Sequence, residues 1–210
     1  MTIFYVDTTS KYLYAGIVQD DKLVIEKKEC LSHDLSTYTL NEISIMFDDA
    51  HLTPNDVDKI IVANGPGSFT GIRIGVTLAK IFAWCKKCSI TTISSLEAMA
   101  KSIKTDNLVV PIIDARRGAC YAAIYDGNEE ILKGEYLTLE KLNLILKGLG
   151  KKYVFITNDK FGFETVSYNP DILEIVRSYQ DRKEINPHMV NPMYLKLTEA
   201  EENRMKEVNE

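Results

Sequence analysis

Sliding the sequence along itself by 107 positions places Asp7 on Asp114, Tyr14 on Tyr121, Ala15 on Ala122 and Ile17 on Ile124, and sets Val6 against Ile113. Each copy reads as an apolar strand ending in Asp, a turn, and an alternating second strand. The offset is about half of the 210 residues, as a duplicated β-meander-plus-helix unit requires, so the chain is restricted to an α/β fold of two similar halves. In the first half, strands are predicted over 3–7, 12–19 and 22–28, with Asp20-Asp21 as a turn. Ser32 or Asp34 can cap a helix over 35–50, and Pro54 closes that segment before a buried strand over 60–63. A strand over 89–93 and a helix over 96–103 complete the unit. The second half adds a helix over 139–146, a strand over 153–157 and a helix over 172–179. Lys104-Thr105-Asp106-Asn107 is the expected linker, giving subdomains 1–103 and 104–197 and an acidic tail 198–210, helical over 198–208.

Composition narrows the function classes. No apolar run approaches the roughly 20 residues that span a bilayer, and acidic Asp7 follows the first short apolar run with no basic region before it. A soluble cytoplasmic protein without membrane contact is therefore expected. The net charge of −5, with five glutamates from Glu199 onward against Arg204 and Lys206, disfavours tight independent binding to a phosphate backbone. Cys85 and Cys88 form a Cys-x-x-Cys pair at a helix end while Cys30 and Cys120 stand apart. Neither a structural zinc site nor a disulfide is expected from that pattern.

Four of the eleven glycines fall in one stretch, where Ile60-Ile61-Val62-Ala63 breaks into Asn64-Gly65-Pro66-Gly67-Ser68-Phe69-Thr70-Gly71 and resumes as Ile72-Arg73-Ile74-Gly75. A strand, a glycine-rich turn and a helix start put backbone N–H groups where they can meet an anion or another chain's backbone. From Ile72 to Cys85 the strongly polar residues are Arg73, Thr77 and Lys80, which make one narrow stripe. A helix that is apolar almost all round is covered on two sides. The cover is either the preceding helix or a helix pair from another subunit.

These features together, with Leu31-Ser32-His33-Asp34 before the first helix, Asp114-Ala115-Arg116-Arg117-Gly118 opening the second half and Pro192-Met193-Tyr194-Leu195-Lys196 near the end, resemble the TsaB (YeaZ) family over essentially the whole chain. The resemblance implies an actin-like ATPase (ASKHA) fold and a part in making N6-threonylcarbamoyladenosine beside the anticodon of tRNAs that read ANN codons. It implies a non-catalytic subunit that pairs with a catalytic paralogue, TsaD, and is joined by an ATPase, TsaE. The paralogue holds a metal through two histidines four apart on its first helix; here His33 is followed at that spacing by Thr37, and His51 and His188 stand alone, so no metal is expected. The loop Asp7-Thr8-Thr9-Ser10 lacks a glycine and no Gly-Gly pair occurs, so no cofactor is expected on this subunit alone. ATP or ADP is expected only at an interface shared with the partner, with Asp7 and Arg73 as the candidate contacts. The partner face is expected on the two helices at Leu35, Thr39, Ile43, Met46, Ile72, Arg73, Val76, Thr77 and Lys80, chosen by helix face. A homodimer through the same helices is expected of the free chain, and tRNA contact only through the complex. The rival expectation is an actin-fold ATPase or phosphotransferase, with Asp7 as its acid and the glycine turn as its phosphate cradle.

Overall fold

The computed structural model describes residues 1–196; the helix expected over 198–208 lies outside the described residues, as does the side chain of His33. The first half forms a sheet from β1 (Thr2–Asp7), β2 (Tyr12–Gln19), β3 (Lys22–Cys30), β4 (Lys59–Ala63) and β5 (Ser89–Ile93), in the order β3-β2-β1-β4-β5. The second half repeats that order with β6 (Leu108–Asp114), β7 (Ala119–Asp126), β8 (Glu129–Thr138), β9 (Tyr153–Thr157) and β10 (Val166–Ser167), as β10-β9-β6-β7-β8. In each sheet the first strand runs antiparallel to the second and parallel to the fourth, the duplicated α/β topology of the actin-like fold.

Helices follow the same duplication. α1 (Leu35–Asp49) corresponds to α4 (Leu139–Leu149), and α3 (Ser95–Lys101) to α5 (Ile172–Tyr179). α2 (Phe69–Lys86) has no counterpart, because a loop fills the space between β9 and β10. The 107-residue offset holds through the first three strands of each half and then shortens, to 94 between Lys59 of β4 and Tyr153 of β9 and to 77 between Ser89 of β5 and Val166 of β10, where the first half adds the glycine turn and α2. Neither Ser32 nor Asp34 caps α1 with its side chain; a single 3-10 turn over Ser32–Asp34 leads into the helix instead.

Strand β1 is buried along its whole length because both of its faces are covered. Ile3 and Tyr5 point between the two sheets, into a core completed by α3 and α5. Phe4 and Val6 point to the other side, under α1 and α2. α4 covers the outer face of the second sheet in the same way. The segment after α5, assigned by sequence to the second subdomain, crosses back onto the first: Ile185 N–H donates to Ile90 O, the buried Lys59 amine donates to Gln180 O and Arg182 O, and Val190 is buried beneath α2. Among the described residues no helix is long and apolar enough to cross a membrane.

Candidate functional site

The glycine turn is packed against the chain's own β1–β2 loop. Ser68 N–H donates to Thr9 O at 2.7 Å and the Thr8 hydroxyl donates to Gly71 O at 2.7 Å. A Cβ on Gly71 would stand 2.0 Å from Thr8 O, and one on Gly67 would stand 2.2 Å from Thr9 O. Neither position can carry a side chain while this contact holds. Gly65, at φ +120°, lies under the Met193 carbonyl. The sequence reading offered a phosphate cradle or a foreign helix as the reason for these glycines; the geometry corrects both, since the close neighbour is a loop of the same chain. The helix N-terminus has Thr9 O where a phosphate oxygen would sit.

Beside the turn a cleft of about 870 Å³ opens between the two halves. Its inner wall carries Asp7, which is 2% exposed. Asp7 Oδ1 accepts from Thr9 N–H at 2.7 Å and Oδ2 from the Tyr5 hydroxyl at 3.4 Å. Burial pushes its carboxyl above the usual carboxylate range, against the hydrogen bonds from Thr9 and Tyr5. The duplicated position repeats the local turn: Asp114 Oδ1 accepts from Arg116 N–H at 2.8 Å, but this carboxylate is exposed. Asp7 thus closes a turn at the foot of the cleft. The Tyr168 hydroxyl nearby is buried with no hydrogen-bond partner among the described residues, and burial pushes the Tyr5 and Tyr168 hydroxyls far above the ordinary tyrosine range.

Six of the nine residues chosen for a partner face turn inward. Leu35, Thr39, Ile43, Met46, Ile72 and Val76 are all buried, the apolar ones in the core between the helices and the first sheet, and the Thr39 hydroxyl is satisfied by Leu35 O at 2.6 Å. They are the wrong set because the apolar stripe of a helix faces its own sheet first. Thr77 is exposed, Lys80 is half-buried with its amine 3.4 Å from His188 O, and Arg73 is exposed with Nε donating to the Tyr194 hydroxyl at 2.8 Å. The C-terminal strap over 187–196 therefore covers one flank of α2, a third source of cover absent from the sequence reading. Trp84 packs edge-on to His188, and Phe69 stacks on Tyr194 at 4.9 Å.

What remains open on this outer layer is apolar. Leu40 (69% exposed) and Tyr38 on α1, and Trp84 (63%) and Ile81 (57%) on α2, are exposed on helices that cover the same face of the first sheet. These side chains, with Ile45, make the accessible face that the helix-face reading missed. Subtracting the sheet-facing positions from each helix would have found them. Among the described residues no cluster of three or more His, Cys, Asp or Glu could hold a metal, and the four cysteines are unpaired.

Comparison with known proteins adds family likeness to this geometry. The model of the family described as TsaD, tRNA N6-adenosine threonylcarbamoyltransferase, matches residues 29–159. A Bacillus subtilis (strain 168) protein named tRNA threonylcarbamoyladenosine biosynthesis protein TsaB is 31% identical over 221 residues, covering 96% of each chain. A protein of the same name from Buchnera aphidicola subsp. Schizaphis graminum is 27% identical over 163 residues, covering 73% of this chain and 77% of its own. YeaZ from Pseudomonas aeruginosa superposes with a TM-score of 0.75 at 18% identity over 92% of this chain and 99% of its own, a likeness that shows the fold.

Proposed function

The chain belongs to the TsaB (YeaZ) family, and from that premise we propose that it is a non-catalytic subunit in the formation of N6-threonylcarbamoyladenosine beside the anticodon of ANN-decoding tRNAs. Its partner is a TsaD-like catalytic paralogue, docked on the outer face of α1 and α2, with a TsaE-like ATPase joining the pair. The observation that carries this reading is the set of exposed apolar side chains on that face, Leu40, Ile81 and Trp84 foremost. Contiguous exposed apolar surface on a soluble domain marks an interaction site. The free chain covers it by pairing with a second copy through the same helices.

The non-catalytic part of the proposal is supported by how the glycine turn and Asp7 are occupied. The turn's close contacts are taken by Thr8 and Thr9, and Asp7 is buried against Thr9 and Tyr5. No nucleotide is held by this subunit alone; ATP or ADP enters at the interface shared with the partner. The isolated chain should accordingly show no magnesium-dependent ATP binding that Asp7→Ala removes. Titration calorimetry that found such binding would restore the ATPase reading.

Ile81→Glu tests the interface. A surface change of this kind alters stability by about 0.5 kcal/mol or less, so the variant should fold as the parent does. It should lose the catalytic paralogue in gel filtration, and tRNA from cells relying on it should lack the modification. Unchanged affinity for the paralogue would refute this face as the docking site.

A further inference from the structure

We infer that the mouth of the cleft between the two halves is an RNA contact, taking the phosphates of a single-stranded RNA loop; this rests on the tRNA-modification reading above. Lys11 from the β1–β2 loop, Arg73 from α2, Arg116 and Arg117 from the β6–β7 loop and Lys196 from the C-terminal strap line this one cleft. Four separate segments converge their cations there, in a chain whose net charge is −5. Among the described residues no carboxylate lies within ion-pair distance of Lys11, Arg73, Arg116 or Lys196. Outside the cleft, Arg177 is paired with Asp21 and Arg182 with Glu97.

The same cleft is lined by Asp7, Asp114 and Asp159. Each of these carboxylates accepts a backbone N–H, from Thr9, Arg116 and Asp114 respectively. Lys11, Arg73, Arg116 and Lys196 therefore face carboxylates that backbone N–H groups already engage. Aromatic rings stand beside these cations, Lys11 over Tyr12 and Arg73 over Tyr194, but the chain already uses their faces: Tyr12 stacks on Tyr14, Phe69 on Tyr194, and Tyr121 is buried. Spaced cations drawn from four segments fit the backbone of a single strand, which offers one phosphate per step. A lone nucleotide would want its phosphates cradled by backbone N–H groups, and here Ser68 N–H and Thr9 N–H are already used within the chain. Side chains spread along the mouth suit phosphates spread along a strand.

The test uses the chain assembled with the catalytic paralogue and, in parallel, the chain alone. Binding of fluorescein-labelled unmodified ANN-decoding tRNA is read by anisotropy at low and moderate salt. The variant Lys11→Glu/Arg116→Glu is compared with Lys22→Glu/Lys147→Glu, which makes the same charge change at exposed positions outside the cleft. The cleft variant should bind at least ~10-fold more weakly, with the slope of log affinity against log salt reduced by roughly 1.4 for two lost phosphate contacts. The control should stay within about twofold of the parent. Equal losses in both variants, or none in either, would overturn the inference. So would displacement of the RNA by magnesium ATP with the cleft variant losing ATP affinity, since that makes the cleft a mononucleotide site. A chain that fails to assemble counts against the docking face alone; the RNA surface then stands or falls on the ratio measured with the free chain.

Discussion

At Gly71 a single methyl group decides whether α2 can reach its loop. The added Cβ would lie 2.0 Å from the Thr8 carbonyl oxygen, a backbone atom that cannot swing aside. Gly71→Ala should therefore destabilise the chain by about 1–3 kcal/mol or more, as overpacking does, and lower its urea midpoint at unchanged slope. Gly118, with φ +77° and nothing within 4 Å, has only backbone strain to lose. Gly118→Ala should cost about 1–2 kcal/mol, so the two alanines separate packing from conformation. Asp7 makes a second residue-level prediction. Burial raises its folded pKa above the unfolded value near 3.9. Between those two values the native chain holds a proton that the unfolded chain has released. Stability from this group therefore falls as pH climbs through that window and is flat above it. Asp7→Asn removes the titration, and Asn can still accept from Thr9 N–H. The stability difference, parent minus variant, should decline from pH 4 upward in urea melts; a difference that does not change with pH would contradict a buried, elevated Asp7.

Val76 and Ile81 are both apolar residues of α2, yet their environments are opposite. Val76 is buried against the first sheet and Ile81 is exposed. Val76→Glu should cost several kcal/mol, in the range for an unpaired charge forced into a core, and is expected to yield an unfolded or molten chain by near-UV circular dichroism. Ile81→Glu should leave that spectrum intact. This contrast also shows what was legible in the sequence. Periodicity located both helices and the strand–turn–helix around Gly65, because those signals are local. It could not separate the two apolar sides of α2, because one side meets the sheet and the other stays largely exposed beside the strap. Choosing Leu35, Ile43, Met46, Ile72 and Val76 as partner contacts picked the strongest stripe, and the strongest stripe is the core. The role of the glycines was hidden for the same reason: Gly71 touches Thr8, 63 residues earlier, and no local pattern encodes that meeting.

Across the whole molecule the duplication was legible because the first three strands of each half recur at an offset of 107, while the fourth and fifth keep the same order at shorter spacings that one offset misses. The C-terminal strap was not, since its contacts join residues more than 100 apart: Lys59 with Gln180, Asn64 with Asn191 and Arg73 with Tyr194. It returns from the second half, buries Val190 beneath α2, bonds Met193 N–H to Asn64 O and delivers Lys196 over the Tyr136 ring on β8. Such a strap holds α2 by one anchored side chain and a few hydrogen bonds, whereas β1 is buried on both faces. Val190→Asp should therefore release the strap before it unfolds the sheets, because a local opening exposes the carboxylate at lower cost than global unfolding. Hydrogen exchange should quicken at the amides of Ile185 and Met193 while the amides of β1 and β6 keep their protection. Uniform acceleration across β1, β6 and the strap would mean that the strap is an integral part of the core, and that Lys196 cannot leave the cleft without unfolding the chain.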